Sequence, residues 1–219
     1  MASYVFMKIL ESAPQRYDVG TNLISLGQSR RIQRKIIEDY VHKSNQILEI
    51  GCGTGTLAIS CAKKGASVVA FDKSSQMLAI AKRKVQEQNL IEKIQFEEMG
   101  AIEMEKAFND NTFDRIVSTL VFSELYADEQ KFVLNQAYRI LRPNGLIIIG
   151  DEVKPRSLWK RIVHSSIRIP LALITYIFTQ TSTKALEDIK CSMMNAGFKN
   201  IREQRSFIDS FALFVGQKE

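Results

Sequence analysis

The sequence predicts an α/β fold, a largely parallel sheet with helices on both faces. Three observations carry this. From Gln46 onward, short β-prone apolar runs alternate with segments of helical periodicity. Such repetition builds parallel sheets by helical crossovers. A glycine-dense turn, Gly51-Cys52-Gly53-Thr54-Gly55, joins the first run to its helix. The C-terminus ends in two strand-like runs close enough to form an antiparallel hairpin.

Each element follows from its residues. Ser29 to Val41 places Ile32, Ile36, Ile37 and Tyr40 on one helical face. This helix lies outside the alternation, and Ala13 to Asp18 before it reads as a turn. Ile47 to Ile50 is strand one. Thr56 to Lys64 is a helix closed by Gly65. Ser67 to Phe71 is strand two, ending at Asp72. Ser74 or Ser75 caps a helix to about Asn89. Ile94 to Glu97 and Phe113 to Thr119 are strands three and four. Asp128 caps a helix to Leu141, Arg142 to Gly145 is a turn, and Leu146 to Gly150 is strand five. Lys184 to Ala196 is a helix stopped by Gly197. Residues 199–205 and 208–216 form the last strands, turning around Ile208-Asp209-Ser210. One domain over residues 1–219 is expected, with a helical lid at 1–45 and a helical cap inserted at 153–186.

Composition narrows the function. A content of 45% hydrophobic and 25% charged residues is that of a soluble globular chain. The net charge of +6 permits an anionic partner without demanding one. Cys52, Cys61 and Cys191 are odd in number and lack zinc-like spacing, so a reduced, cytoplasmic protein without a structural metal is expected. His42 and His164 belong to no metal pattern. The N-terminus has no signal-peptide pattern. The stretch from Val153 to Leu186 carries Lys154, Arg156, Lys160, Arg161, Arg168 and Lys184 around an apolar middle, Ile167 to Phe178. A membrane span needs roughly 20 apolar residues, and Arg168 and Pro170 interrupt this run. A cap over the strand ends or a peripheral membrane contact both fit it.

The chemistry is concentrated at Glu49 and the glycines after it. Alternating glycines let the backbone turn sharply and let a ligand approach the main chain. A dinucleotide fingerprint needs its third glycine at position 56, which is Thr56. Glu49 would also repel a pyrophosphate. A cofactor with an ammonium group and no phosphate, such as S-adenosylmethionine, fits better. A glycine turn serving structure alone is the bland alternative. Asp72 can accept both ribose hydroxyls, a role shared with nicotinamide enzymes, or can cap a helix, where Ser74 and Ser75 are better placed.

The run Glu49-x-Gly51-x-Gly53-x-Gly55 resembles the first motif of class I S-adenosylmethionine-dependent methyltransferases. Phe113 to Leu120 is similar to the fourth motif, and Leu141-Arg142-Pro143-Asn144-Gly145 to the turn before strand five. The resemblance covers about residues 46–150. It implies a Rossmann-like sheet of seven strands with an antiparallel C-terminal strand. It implies cofactor contacts from Glu49, Gly51, Cys52, Gly53, Gly55, Asp72, Lys73, Met77, Gly100, Ala101, Ile102 and Ser118. For Met77 a core role is the open alternative. Gly100-Ala101 stand where relatives carry an acid and alanine against the adenine; the acid is missing unless Glu97 or Glu98 substitutes. Tyr17, in a Tyr-Asp pair like the N-terminal lid of small-molecule methyltransferases, closes over the methionine end or is an ordinary tyrosine.

The implied activity is methyl transfer to a small-molecule or cofactor-like acceptor. A sulfonium already activates the methyl group, so alignment and exclusion of water carry much of the acceleration. A general base is needed only where the acceptor must lose a proton. Glu124 and Asp151 are placed for that, or are ordinary polar residues of the cleft. No nucleic acid is expected, because the Asn/Asp-Pro-Pro-Tyr/Phe signature of base methylation is absent. The N-terminal Phe6 to Asp18 and the Asp151 to Pro155 segment are similar to small methyltransferases associated with corrinoid proteins, which implies such a protein as a partner. The competing readings are a nicotinamide-dependent oxidoreductase and a non-catalytic S-adenosylmethionine-binding module.

Overall fold

The computed structural model describes residues 25, 27–156, 185–186, 188–206 and 209–219. Seven strands form one sheet: β1 Gln46–Ile50, β2 Ser67–Asp72, β3 Ile94–Glu98, β4 Phe113–Thr119, β5 Leu141–Glu152, β6 Lys199–Arg205 and β7 Phe211–Gln217. Their order is β3-β2-β1-β4-β5-β7-β6. The first five are parallel, and β7 is antiparallel to both β5 and β6. The predicted seven-stranded, mostly parallel sheet is therefore the observed one.

Period-two alternation sorts side chains between two apolar layers. Leu48, Ile50, Ile116, Ile147 and Ile149 face one layer; Ile47, Val117 and Ile148 face the other. The first layer is covered by α5 (Ala127–Ile140) and α6 (Ile189–Asn195). The second is covered by α1 (Gln28–Tyr40), α2 (Thr56–Lys63) and α3 (Ser75–Glu87). Buried on both faces, the run Ile147 to Gly150 has no polar side chain, as a central parallel strand requires. Gly150 matters to α1. A Cβ at that position would collide with Ile32 Cγ2, so the bare backbone of β5 lets this helix lie directly on the sheet.

Five elements differ from expectation. Arg142 to Gly145 is not a free turn but a bulge inside β5. Leu141 pairs with Phe113 and Leu146 with Arg115, and the residues between them loop out with Asn144 at φ 62°. The C-terminal tail holds the bulge: Asn144 donates to the Lys218 carbonyl at 2.7 Å, and Lys218 donates to that of Gly145 at 3.0 Å. Asp128 does not cap α5; the Glu129 carboxylate turns back to the Tyr126 N–H at 2.8 Å. The helix expected from Lys184 starts at Ile189, because Leu186 is held extended by its bond to the Glu152 carbonyl and its bridge to Val153. β7 starts at Phe211 rather than 208, after a turn with Asp209 at φ 62°. A short helix, α4 Met104–Ala107, follows a 3-10 turn at Ala101–Glu103 that periodicity did not show. The lid residues before Ser25 and most of the 153–186 insertion lie outside the described residues.

Candidate active site

The C-terminal ends of β1, β2, β3, β4 and β5 meet along one edge, and nearly every residue singled out above lies there. The glycine turn leaves β1 with Gly51, Gly53 and Gly55 at φ 67°, 51° and 75°, a left-handed backbone that side chains with a Cβ resist. Two of these glycines are also demanded by neighbours. A Cβ on Gly51 would collide with Val121 Cγ2, and one on Gly55 would come within 2.9 Å of Ala81 Cβ in α3. The turn is tied to β2 by the Cys52 N–H, which donates to the Phe71 carbonyl at 2.9 Å.

Asp72 ends β2 and organises the turn. Its Oδ2 accepts the Gly53 N–H at 2.8 Å and its Oδ1 the Ser74 N–H at 2.9 Å. Ser74 is the cap of α3, its Oγ accepting from Met77 N. Each carboxylate oxygen of Asp72 keeps a second lone pair directed away from its backbone donor.

Glu49 is buried beneath the turn, 2% exposed. One oxygen is stabilised by the Ala58 backbone N–H in the first turn of α2, while Oε2 has no hydrogen-bond partner among the described residues. Burial pushes its carboxyl up to about 8, with the Asp72 charge adding to the rise. A buried carboxyl oxygen without a partner is rare enough to call for a ligand or a proton. Burial also pushes the Cys52 and Cys61 thiols far above the ordinary range, so both stay protonated and neither is a nucleophile.

After β3 the Gly100 N–H donates to Glu103 Oε1 at 2.7 Å. The acid at this turn is thus Glu103, which sequence reasoning missed. Its signal was the capping-box spacing of an acid three residues after Gly100. Glu97 is bound by Gln95 Nε2 at 2.7 Å instead. Ala101 is half-buried, and Ile102, 60% exposed, presents an apolar surface at the edge. Lys73 is exposed and Met77 is buried.

Beyond β4 the arrangement changes character. Ser118 is buried, and its Oγ donates to the Ile50 carbonyl at 3.3 Å, so the hydroxyl joins β4 to β1. The chain then reverses into a 3-10 turn at Phe122–Glu124. Asp151 is fully buried, accepting the Ser123 N–H at 3.1 Å through Oδ2 and the Glu152 N–H at 2.7 Å through Oδ1. Burial pushes Asp151 up to about 7 despite these bonds. Glu124 is half-buried on the turn that Asp151 holds. Tyr17 lies outside the described residues.

Comparison with known proteins agrees with this geometry. Residues 47–145 match a family described as a methyltransferase domain. A demethylmenaquinone methyltransferase of Lactiplantibacillus plantarum is 25% identical over 96% of this chain and 94% of its own length. That of Thermus thermophilus is 34% identical over 66% of this chain and 64% of its own. A ubiquinone/menaquinone biosynthesis C-methyltransferase of Geotalea daltonii is 25% identical over 96% of this chain and 95% of its own. Among solved structures, phosphoethanolamine N-methyltransferase 2 of Haemonchus contortus, in complex with S-adenosyl-L-methionine, superposes with a TM-score of 0.68 at 18% identity, covering 97% of this chain and 60% of that one. A SAM-dependent methyltransferase of Aquifex aeolicus superposes at 0.63 and 16% identity, covering 85% and 89%. At such identities the structures establish the fold alone. The glycine turn under an acid, the second acid closing β2, the 3-2-1-4-5-7-6 sheet and the match over residues 47–145 converge: this chain carries a methyltransferase domain and is similar to the S-adenosylmethionine-dependent methyltransferases.

Proposed function

We propose that this enzyme transfers the methyl group of S-adenosylmethionine to a ring carbon of a quinol-type acceptor. The observation that carries the acceptor class is the end-to-end similarity to the Lactiplantibacillus plantarum enzyme. The apolar run Ile167 to Phe178, with basic residues around it, is a composition suited to a lipophilic acceptor.

The edge geometry supports cofactor roles for the described residues, and the sequence resemblance supports that of Tyr17. Glu49 Oε2 takes the ammonium of the methionine part, directly or through water. Asp72 offers its remaining lone pairs to the ribose hydroxyls. Gly51, Cys52, Gly53 and Gly55 give the ligand a bare backbone to lie against, with Lys73 and Ser118 flanking it. Gly100, Ala101, Ile102 and Met77 frame the adenine, for which exposed Ile102 is an apolar face. Tyr17 closes the methionine end.

The transfer is an in-line displacement. Loss of a hydroxyl proton from the quinol raises electron density at the neighbouring ring carbon. The new carbon–carbon bond forms as the carbon–sulfur bond breaks and S-adenosylhomocysteine leaves. The ring carbon then loses its proton and the phenol is restored. Glu124 is the proton acceptor in this reading. Asp151, with both oxygens engaged by backbone donors, positions the turn that carries it.

The test is anaerobic incubation of the full chain with methyl-labelled S-adenosylmethionine and a short-tailed demethylmenaquinol. Label should enter the organic phase on a ring carbon. Binding of the cofactor without quinol methylation would remove the acceptor class while leaving the enzyme class intact. Adding a corrinoid protein to the same assay tests the partner that the sequence resemblance implies.

A further inference from the structure

Leu120 has a backbone that its residue type opposes. Eight non-glycine residues among those described have positive φ: Ser44, Asn89, Asn111, Leu120, Asn144, Asp188, Asn200 and Asp209. Seven are Ser, Asn or Asp, whose short polar side chains tolerate that region. Leu120, at φ 62°, is the exception. A bulky apolar residue held there stores strain, and it persists only where the surroundings over-determine the backbone.

The surroundings do so on both sides. The Leu120 N–H donates to the Gly150 carbonyl at 2.9 Å, extending the β4–β5 ladder one residue past Thr119. The next residue, Val121, abuts Gly51 so closely that a Cβ there would collide with it. Val121 O accepts the Glu124 N–H at 2.9 Å, and Asp151 accepts that of Ser123 at 3.1 Å. The chain is thus pinned immediately before and after Leu120.

Core packing does not account for the leucine. Val121 and Leu125 pack on the apolar layer shared with α5, and Leu120 packs on neither layer among the described residues. It is half-buried at the edge of the sheet, between the glycine turn and the turn bearing Glu124. An asparagine or glycine would meet the backbone requirement without strain, so the strain is maintained for the side chain.

We infer that Leu120 is a specificity-determining residue for the methyl acceptor: the strained turn holds its apolar side chain at the methyl-transfer edge, where it contacts the flat apolar ring of the substrate. The ring identity rests on the quinol reading above. A leucine here selects an apolar ring face over a polar amine or carboxylate acceptor, and excludes water from the transferring methyl.

The experiment uses the full chain with Leu120→Asn and Leu120→Gly, both compatible with the turn, and Leu134→Ala in the α5 core as a reference for damaged packing. Three quantities are read: melting temperature, S-adenosylmethionine affinity by calorimetry, and KM for demethylmenaquinol. The inference expects melting temperatures of both Leu120 variants at or above that of the unaltered chain, cofactor affinity within about twofold, and acceptor KM raised at least about tenfold in Leu120→Asn, as expected for the loss of one well-packed apolar contact. Unchanged acceptor KM would overturn it, as would a parallel loss of cofactor affinity. If the unaltered chain methylates no quinol, the acceptor reading fails separately. The melting arm still decides the role of the strain: a fall as large as that of Leu134→Ala makes Leu120 a packing residue and sinks the inference whatever the acceptor.

Discussion

If Glu49 receives the ammonium of S-adenosylmethionine, cofactor binding must expel a proton. In the free protein burial holds the Glu49 carboxyl at about 8. At pH 7 such a group carries about 0.9 of a proton. An ammonium within about 4 Å stabilises the carboxylate and lowers its pKa, so binding at pH 7 should release about 0.9 proton per cofactor. The affinity should climb nearly tenfold per pH unit below about pH 7 and level off above about pH 8, where the carboxyl is already ionised. Calorimetry in buffers of different ionisation enthalpy measures the release directly. Glu49→Gln supplies the control, since titration of the ligand's own amino group is common to both proteins and cancels in the difference. The variant should show no Glu49-dependent release and should lack the rise in affinity with pH that Glu49 gives the unaltered chain. It should bind about 1.5–3 kcal/mol more weakly at pH 8, the usual worth of a charge-assisted hydrogen bond. The same shift acts on folding with a defined sign. Between 4.5 and about 8 the folded state keeps a proton that the unfolded state has shed, so stability without cofactor declines as pH rises through that window. Equal proton release by the unaltered chain and Glu49→Gln at pH 7 would refute the reasoning and leave Glu49 as a buried acid under the turn.

Two further substitutions probe the same edge. Asp72→Ala should weaken S-adenosylmethionine by about 1.5–3 kcal/mol through the lost ribose contacts; because it also strands the Gly53 and Ser74 donors, calorimetry should be paired with thermal melting, and unchanged affinity would end the ribose role. Gly51→Val should abolish cofactor binding and lower the melting temperature, because a left-handed β-branched residue would also strike Val121; normal affinity in a folded Gly51→Val protein would show that the ligand does not lie over this turn.

The structural reason behind Gly51 differs from the one the sequence suggests. Alternating glycines imply room for a ligand, yet Gly51 is bare on account of Val121, 70 positions later in the chain, and Gly55 on account of Ala81. Local pattern registers that a Cβ is forbidden and is silent on what forbids it. Asp151 shows the same limit. Its place at the end of β5 was readable, but its two backbone donors come from the turn after β4 and from its own neighbour. They tie it to the turn that carries Ser123.

What the sequence determined by itself is the part governed by short-range periodicity and turn chemistry. Strand alternation, helical faces and the glycine turn set the order of elements and hence the doubly covered sheet, and the Glu49 and Asp72 positions follow from where strands end. Tertiary structure decided what depends on partners distant in the chain. It turned Arg142 to Gly145 into a bulge, because the Lys218 backbone bonds both Asn144 and Gly145. It forced Leu120 into a left-handed backbone that no leucine chooses, by pairing it with Gly150 while Val121 seats on Gly51. A one-dimensional pattern reports the preferences of neighbours along the chain; strain and buried unpartnered polar atoms arise where those preferences are overruled by packing across it.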